Sequence, residues 1–91
     1  MQKEKALKIS ACVIARDEAR DMPRWLENAA VYSDERIVVD TGSKDDTKAL
    51  AEAAGARVYD YAWRDDFAAA KNEALSHATG EWIAFLDADE Y

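Results

Sequence analysis

The chain has 91 residues, room for a single domain, and 49% of them are hydrophobic, too many for a disordered tail. Nineteen acidic against twelve basic side chains leave a net charge of −7 at pH 7, which argues against a nucleic-acid binder and against a polybasic membrane anchor. One cysteine, Cys12, can neither staple the chain internally nor supply a zinc cluster, so a cytoplasmic domain held by its core is expected.

Four short apolar runs alternate with three helical patterns, the signature of βαβ units. Residues 7–15 read as the first strand, nearly all small or apolar, as coverage on both faces requires. The apolar stretch from Ile9 to Ala15 is too short to cross a membrane, and it leads straight into Arg16-Asp17-Glu18 rather than a signal-peptide cleavage site. A helix follows, with Asp21 as N-cap, Pro23 in its first turn, and Met22, Trp25, Leu26, Ala29 and Ala30 along one face. Residues 36–40 form a short β-branched strand. The turn from Thr41 to Thr47 opens the next helix, with Ser43 and Asp46 as a capping-box variant and Gly55 as its stop. Residues 56–61 are the third strand. A loop carrying Trp63 leads to a helix capped by Asp65 or Asp66 and ended by Gly80, whose apolar stripe is Phe67, Ala70, Ala74, Leu75 and Ala78. Residues 81–87 are the fourth strand. Cys12 reads as a small core hydrophobe, Trp25 and Trp82 as core or edge residues, and His77 as a surface residue.

Crossovers between parallel strands are right-handed. If the first three strands step outward in one direction, the fourth returns most economically to the far side of the first. The expected fold is therefore α/β: a Rossmann-like, three-layer domain with a mainly parallel four-stranded sheet of order 3-2-1-4. Ligands bind such sheets outside the carboxyl ends of the strands, at the reversal. Arg16 and Asp17 follow the first strand, Asp40 ends the second, and Asp87-Ala88-Asp89 ends the fourth. Gathered carboxylates repel one another and lose hydration, a cost that a divalent cation removes. Oxygen ligands favour Mg²⁺ or Mn²⁺ over zinc. Asp87 and Asp89, two apart, project from one face of an extended segment.

These residues carry a resemblance. The chain resembles the amino-terminal, nucleotide-binding half of a family-2 glycosyltransferase of the GT-A fold, over roughly residues 8–91. The correspondence runs through Ala15-Arg16-Asp17-Glu18 after the first strand and the V-D-x-G-S-x-D-x-T pattern from Val39 to Thr47. It continues with Ala70-Lys71-Asn72 and with A-x-G-E-x-I-x-F-L-D-x-D from Ala78 to Asp89. The resemblance implies that Ala15 and Arg16 line a base pocket and that Asp40 accepts a hydrogen bond from a pyrimidine. It further implies that Asp87 faces the ribose or the metal, and that Asp89 coordinates Mn²⁺ or Mg²⁺ against the diphosphate of a nucleotide sugar, UDP-sugar being expected. Lys71 stands where the family more often carries Arg and lacks its planar fork.

The resemblance also implies that residues 1–91 form a donor-binding half-domain. The acceptor half and the general base of the family lie further along; Glu90 does not match the base's position, so no catalytic residue is assigned and the 91 residues alone are expected to transfer no sugar. An uncovered fourth strand predicts self-association through Trp82 to Leu86. Two other readings stay open. The run from Ile83 to Asp89 is similar to the first motif of haloacid-dehalogenase-like phosphatases, although Tyr91 stands where that pattern wants Thr or Val. The acidic strand ends could also belong to a non-catalytic interaction domain.

Overall fold

The central strand β1 (Ile9–Ala15) buries five of its seven residues, because both of its faces are covered. The structure, a computed structural model, describes residues 8–62 and 67–85. After β1 come α1 (Met22–Tyr32), β2 (Glu35–Asp40), α2 (Thr47–Ala53), β3 (Arg57–Asp60), α3 (Phe67–His77) and β4 (Trp82–Phe85). The strands form one parallel sheet in the order β3-β2-β1-β4, as expected.

Side-chain alternation divides the core into two layers. Ala11, Val13 and Ala15 of β1 and Val38 of β2 pack with Met22, Trp25, Leu26 and Ala29 of α1 and Ala51 of α2. Cys12, Ile37 and Val39 point the other way, to Ala74 of α3, with Ile14, Tyr59, Ala78 and Phe85 around them. Right-handed crossovers explain the split. The steps β1→β2→β3 run one way and place α1 and α2 on one face, while the return from β3 to β4 runs the opposite way and puts α3 on the other.

Several local readings change. Ala30 is exposed, so the apolar face of α1 narrows to Met22, Trp25, Leu26 and Ala29. Asp21 caps α1 through its backbone position and makes no side-chain cap bond. The Ser43–Asp46 capping box does not form. Asp46 occupies the N-cap without a side-chain bond, and Asp45 takes the role instead, accepting the Thr47 amide at 2.9 Å and the Thr47 hydroxyl. Gly55 ends α2 as expected, with φ at +92°. In α3, Ala70 and Ala74 are fully buried and Leu75 and Ala78 half-buried; the Phe67 side chain, the Trp63 loop and the Asp65 or Asp66 cap lie outside the described residues. His77 is more than a surface residue. Its ring stacks on Tyr59 with centroids 3.6 Å apart, and Nε2 lies 2.8 Å from the Glu73 carboxylate. Trp82 and Ile83 stand exposed on the edge strand β4.

The amino-terminal rim of the sheet is locked by Glu35. Its carboxylate accepts the Ser10 hydroxyl at 2.5 Å and the Thr79 amide and hydroxyl at 2.7 and 2.9 Å, and pairs with Arg57 at 2.5 Å. Burial alone would raise the pKa of this carboxyl. The hydrogen bonds from Ser10 and Thr79 and the charge of Arg57 outweigh it and hold the pKa down at about 2. One side chain thus ties the starts of β1, β2 and β3 to the turn that enters β4.

Candidate functional site

The opposite, carboxyl-terminal rim gathers the polar residues. Across the sheet, Ala15 pairs with Asp40, and Asp40 pairs with Asp60. Asp40 is 3% exposed, and burying a carboxylate requires donors. Its Oδ1 accepts the amides of Gly42 at 2.9 Å and Ser43 at 2.7 Å, which bends the chain back at the end of β2. Gly42 adopts φ of +111° with nothing within 4 Å of where a Cβ would lie, so backbone conformation, not space, calls for glycine here. Both amides fall on Oδ1, so this turn makes no use of Oδ2. Asp40 also lines a pocket of about 290 Å³ together with Gly42, Asp60, Tyr61 and Ala62.

Two carboxylates on adjacent strand ends repel each other, and a cation from α2 offsets that. Lys48 Nζ lies 2.8 Å from Asp60 Oδ2, and the hydrogen bond and charge of Asp60 raise the lysine's pKa above its ordinary value.

The loop after β1 is braced against the turn after β2. The Asp17 amide donates to Ser43 Oγ at 2.8 Å, and the Lys44 amide donates to Asp17 Oδ1 at 2.6 Å. The Glu18 amide donates to Thr47 Oγ1 at 2.7 Å, and the Ala19 amide to Asp45 Oδ2 at 3.1 Å. The Thr47 hydroxyl and amide hold the Asp45 carboxyl below its usual pKa. Asp17 carries φ of +54°, a left-handed conformation that Asp tolerates better than most side chains.

Ala15, Arg16 and Asp40 therefore come together at one rim, with Ala15 buried and Arg16 exposed. Lys71 is exposed on α3, with Nζ 5.2 Å from the centroid of the Phe85 ring. Asp87 and Asp89 lie outside the described residues, and among the described residues no three His, Cys, Asp or Glu side chains converge to hold a metal. Asp60, Tyr61 and Lys48 escaped the sequence reading. The available signal was that β3, like its neighbour β2, ends in Asp. A second groove of about 270 Å³ between α1 and α2 is mostly apolar, lined by Pro23, Leu26, Ala30, Leu50 and Ala54 with Glu27 and Arg36; the Arg36 guanidinium is already bonded to the Leu26 and Ala54 carbonyls. Among the described residues no helix is long and apolar enough to cross a membrane.

Comparison with known proteins bears on this rim. The family model described as Glycosyl transferase family 2 matches residues 10–91. A TPR repeat-containing protein of Synechococcus elongatus is 52% identical over 90% of this chain and 20% of its own length. An uncharacterized glycosyltransferase of Rickettsia conorii is 38% identical over 99% of this chain and 32% of its own. Among solved structures, glucosyl-3-phosphoglycerate synthase from Mycobacterium tuberculosis, in complex with Mn²⁺, UDP and glucosyl-3-phosphoglycerate, superposes with a TM-score of 0.79 at 28% identity. The match covers 92% of this chain and 34% of that one. The chain thus spans between a fifth and about a third of the length of these similar proteins.

Proposed function

The chain belongs to glycosyl transferase family 2, and from that premise we propose that its carboxyl-terminal rim binds the nucleotide of a UDP-sugar. In this reading residues 1–91 are the donor-binding half-domain of an enzyme that transfers the sugar to an acceptor hydroxyl. The observation that carries it is the state of Asp40: buried, its Oδ1 occupied by two amides, its Oδ2 not used by that turn, and the residue itself lining a pocket. A uracil ring offers one N–H donor between two carbonyl acceptors. Asp40 Oδ2 takes that N–H, and the backbone of Ala15 and Arg16, presented at the same rim, meets the ring. Lys71 supplies positive charge to a nucleotide that an acidic chain would otherwise repel.

In the transfer, the acceptor oxygen bonds to the anomeric carbon, the bond from that carbon to the diphosphate breaks, and the acceptor proton passes to a base not assigned among these residues. Asp87 and Asp89 are the residues proposed to hold Mn²⁺ or Mg²⁺, which when bound neutralises the diphosphate. Support for a cation comes from the similar synthase, crystallised with UDP and either Mn²⁺ or Mg²⁺.

Calorimetry of UDP, GDP and dTDP, with and without Mn²⁺, tests the reading. UDP is expected to bind in a metal-dependent way, and Asp89→Asn to abolish that dependence. Unchanged affinity in the variant removes the metal role from Asp89, and absence of nucleotide binding by the native protein overturns the proposal. Phosphate release from a generic ester would instead favour a phosphatase.

A further inference from the structure

Asp17 has no role in the reading above, yet its backbone is held at the rim in a conformation that side chains rarely adopt. It is the one residue other than glycine with positive φ among those described. It is also held from two sides by the turn that Asp40 organises. Ser43 is the joint: its amide donates to Asp40 Oδ1 while its hydroxyl accepts the Asp17 amide. Lys44, next in the chain, returns its own amide to Asp17 Oδ1. Asp40, Ser43, Lys44 and Asp17 therefore form one continuous path of hydrogen bonds from the end of β2 to the end of β1.

We infer that Asp17 is a positioning residue: its left-handed backbone, clamped to Ser43 and Lys44, sets the direction in which the Ala15–Arg16 backbone faces the nucleobase. The inference rests on the proposed nucleotide site and deepens it. Two physical facts make it work. First, a conformation with positive φ is disfavoured for a side chain, so it persists only where the surroundings impose it. Second, each of the two bonds runs between segments 26 or 27 residues apart in the chain, so they fix one loop relative to the other rather than merely closing a local turn. A nucleobase read partly by backbone groups is sensitive to such an adjustment, because backbone donors and acceptors cannot swing to follow a ligand as side chains do. The four residues of this path do not include those proposed to act on the diphosphate, whose binding is expected to be indifferent to it.

Three substitutions separate the alternatives in the full-length protein. Asp17→Asn tolerates the left-handed conformation and keeps an acceptor for Lys44, so it is expected to bind UDP with Mn²⁺ like the native protein. Asp17→Gly keeps the backbone but removes the Lys44 tie, and loses several-fold in UDP affinity. Asp17→Val, whose β-branched side chain resists positive φ, loses about tenfold or more, in line with the loss of one or two hydrogen bonds. Pyrophosphate with Mn²⁺, a probe without a base, binds all three as it binds the native protein. If Asp17→Val does not fold, Asp17→Gly and Asp17→Asn decide the matter between them. Equal UDP affinity in the native, Gly and Val proteins overturns the inference while leaving the nucleotide site intact, and so does a parallel loss of UDP and pyrophosphate binding. A loss in Asp17→Asn as large as in Asp17→Val shows that charge, not geometry, matters and overturns it as well. A native protein that binds no UDP sinks the site itself and the inference with it.

Discussion

Replacing Asp40 by asparagine separates the two jobs that its carboxylate does. Oδ1 accepts the Gly42 and Ser43 amides, and the carbonyl oxygen of Asn accepts both in the same place, so the turn is expected to survive. The second oxygen becomes an NH₂ group, a donor set against the N–H of uracil. A hydrogen bond to a charged group contributes about 1.5–3 kcal/mol, so its loss weakens UDP binding by roughly ten- to a hundred-fold. Asp40→Ala behaves differently: it leaves two amides beside a buried position without acceptors, at about 1–3 kcal/mol for each that water does not reach. Calorimetry and thermal melting of the two variants together form the assay. Asn is expected to melt close to the native protein and to bind poorly, whereas Ala loses both stability and binding. An Asn variant that binds UDP within twofold of the native protein removes Asp40 from the ligand, and one that melts as low as Ala refutes the assignment of the amides to Oδ1.

Three other outcomes follow from the packing. The Glu35 carboxyl, held at about 2 instead of 4.5, contributes stability that is complete above pH 4.5 and is lost as the pH falls towards 2, since protonation removes its partners' advantage. The shift corresponds to roughly 3 kcal/mol, and screening around the half-exposed Arg57 reduces this to about 1–2 kcal/mol. Urea titrations between pH 2 and 5 should show that slope in the native protein and a shallower one in Glu35→Gln; identical slopes contradict the assignment. Gly80→Ala places a methyl 2.6 Å from Ser10 Oγ and 2.7 Å from the Lys8 carbonyl oxygen, and backbone must move to admit it, so a loss of about 1–3 kcal/mol is expected in chemical denaturation. Cys12 is fully buried, and burial, with the nearby charge of Glu35, raises its thiol to about 11, so a thiol reagent at neutral pH should modify it no faster than the protein unfolds. Rapid modification of the folded protein would show that the sheet's centre is open to solvent.

Much of the fold was legible because its signals are local or chiral. Apolar runs of strand length and helical spacing mark elements along the chain, and the handedness of crossovers turns their order into the sheet order β3-β2-β1-β4 and places α3 on the face opposite α1 and α2. The position of Asp40 at a strand end is likewise visible in the order of residues. The sequence pattern misassigned the cap of α2, where Ser43 and Asp46 have suitable spacing but Ser43 is drawn to Asp17 and Asp45 bonds Thr47. Side-chain hydroxyls and carboxylates have several acceptable partners, and spacing alone does not choose among them.

What the amino-acid order determined by itself was the set of elements, their layering and the rim at which carboxylates accumulate. Tertiary structure alone decided which of those groups meet: that Asp60 stands beside Asp40, that Lys48 answers Asp60, that His77 lies flat on Tyr59, and that Asp17 is bent to positive φ by the turn after β2. The physical reason is range. Periodicity and chirality act over a few residues and repeat along the chain, whereas these contacts join segments brought together only once strands are paired in one register, and a polar side chain takes its partner from whatever that register sets within about 3 Å.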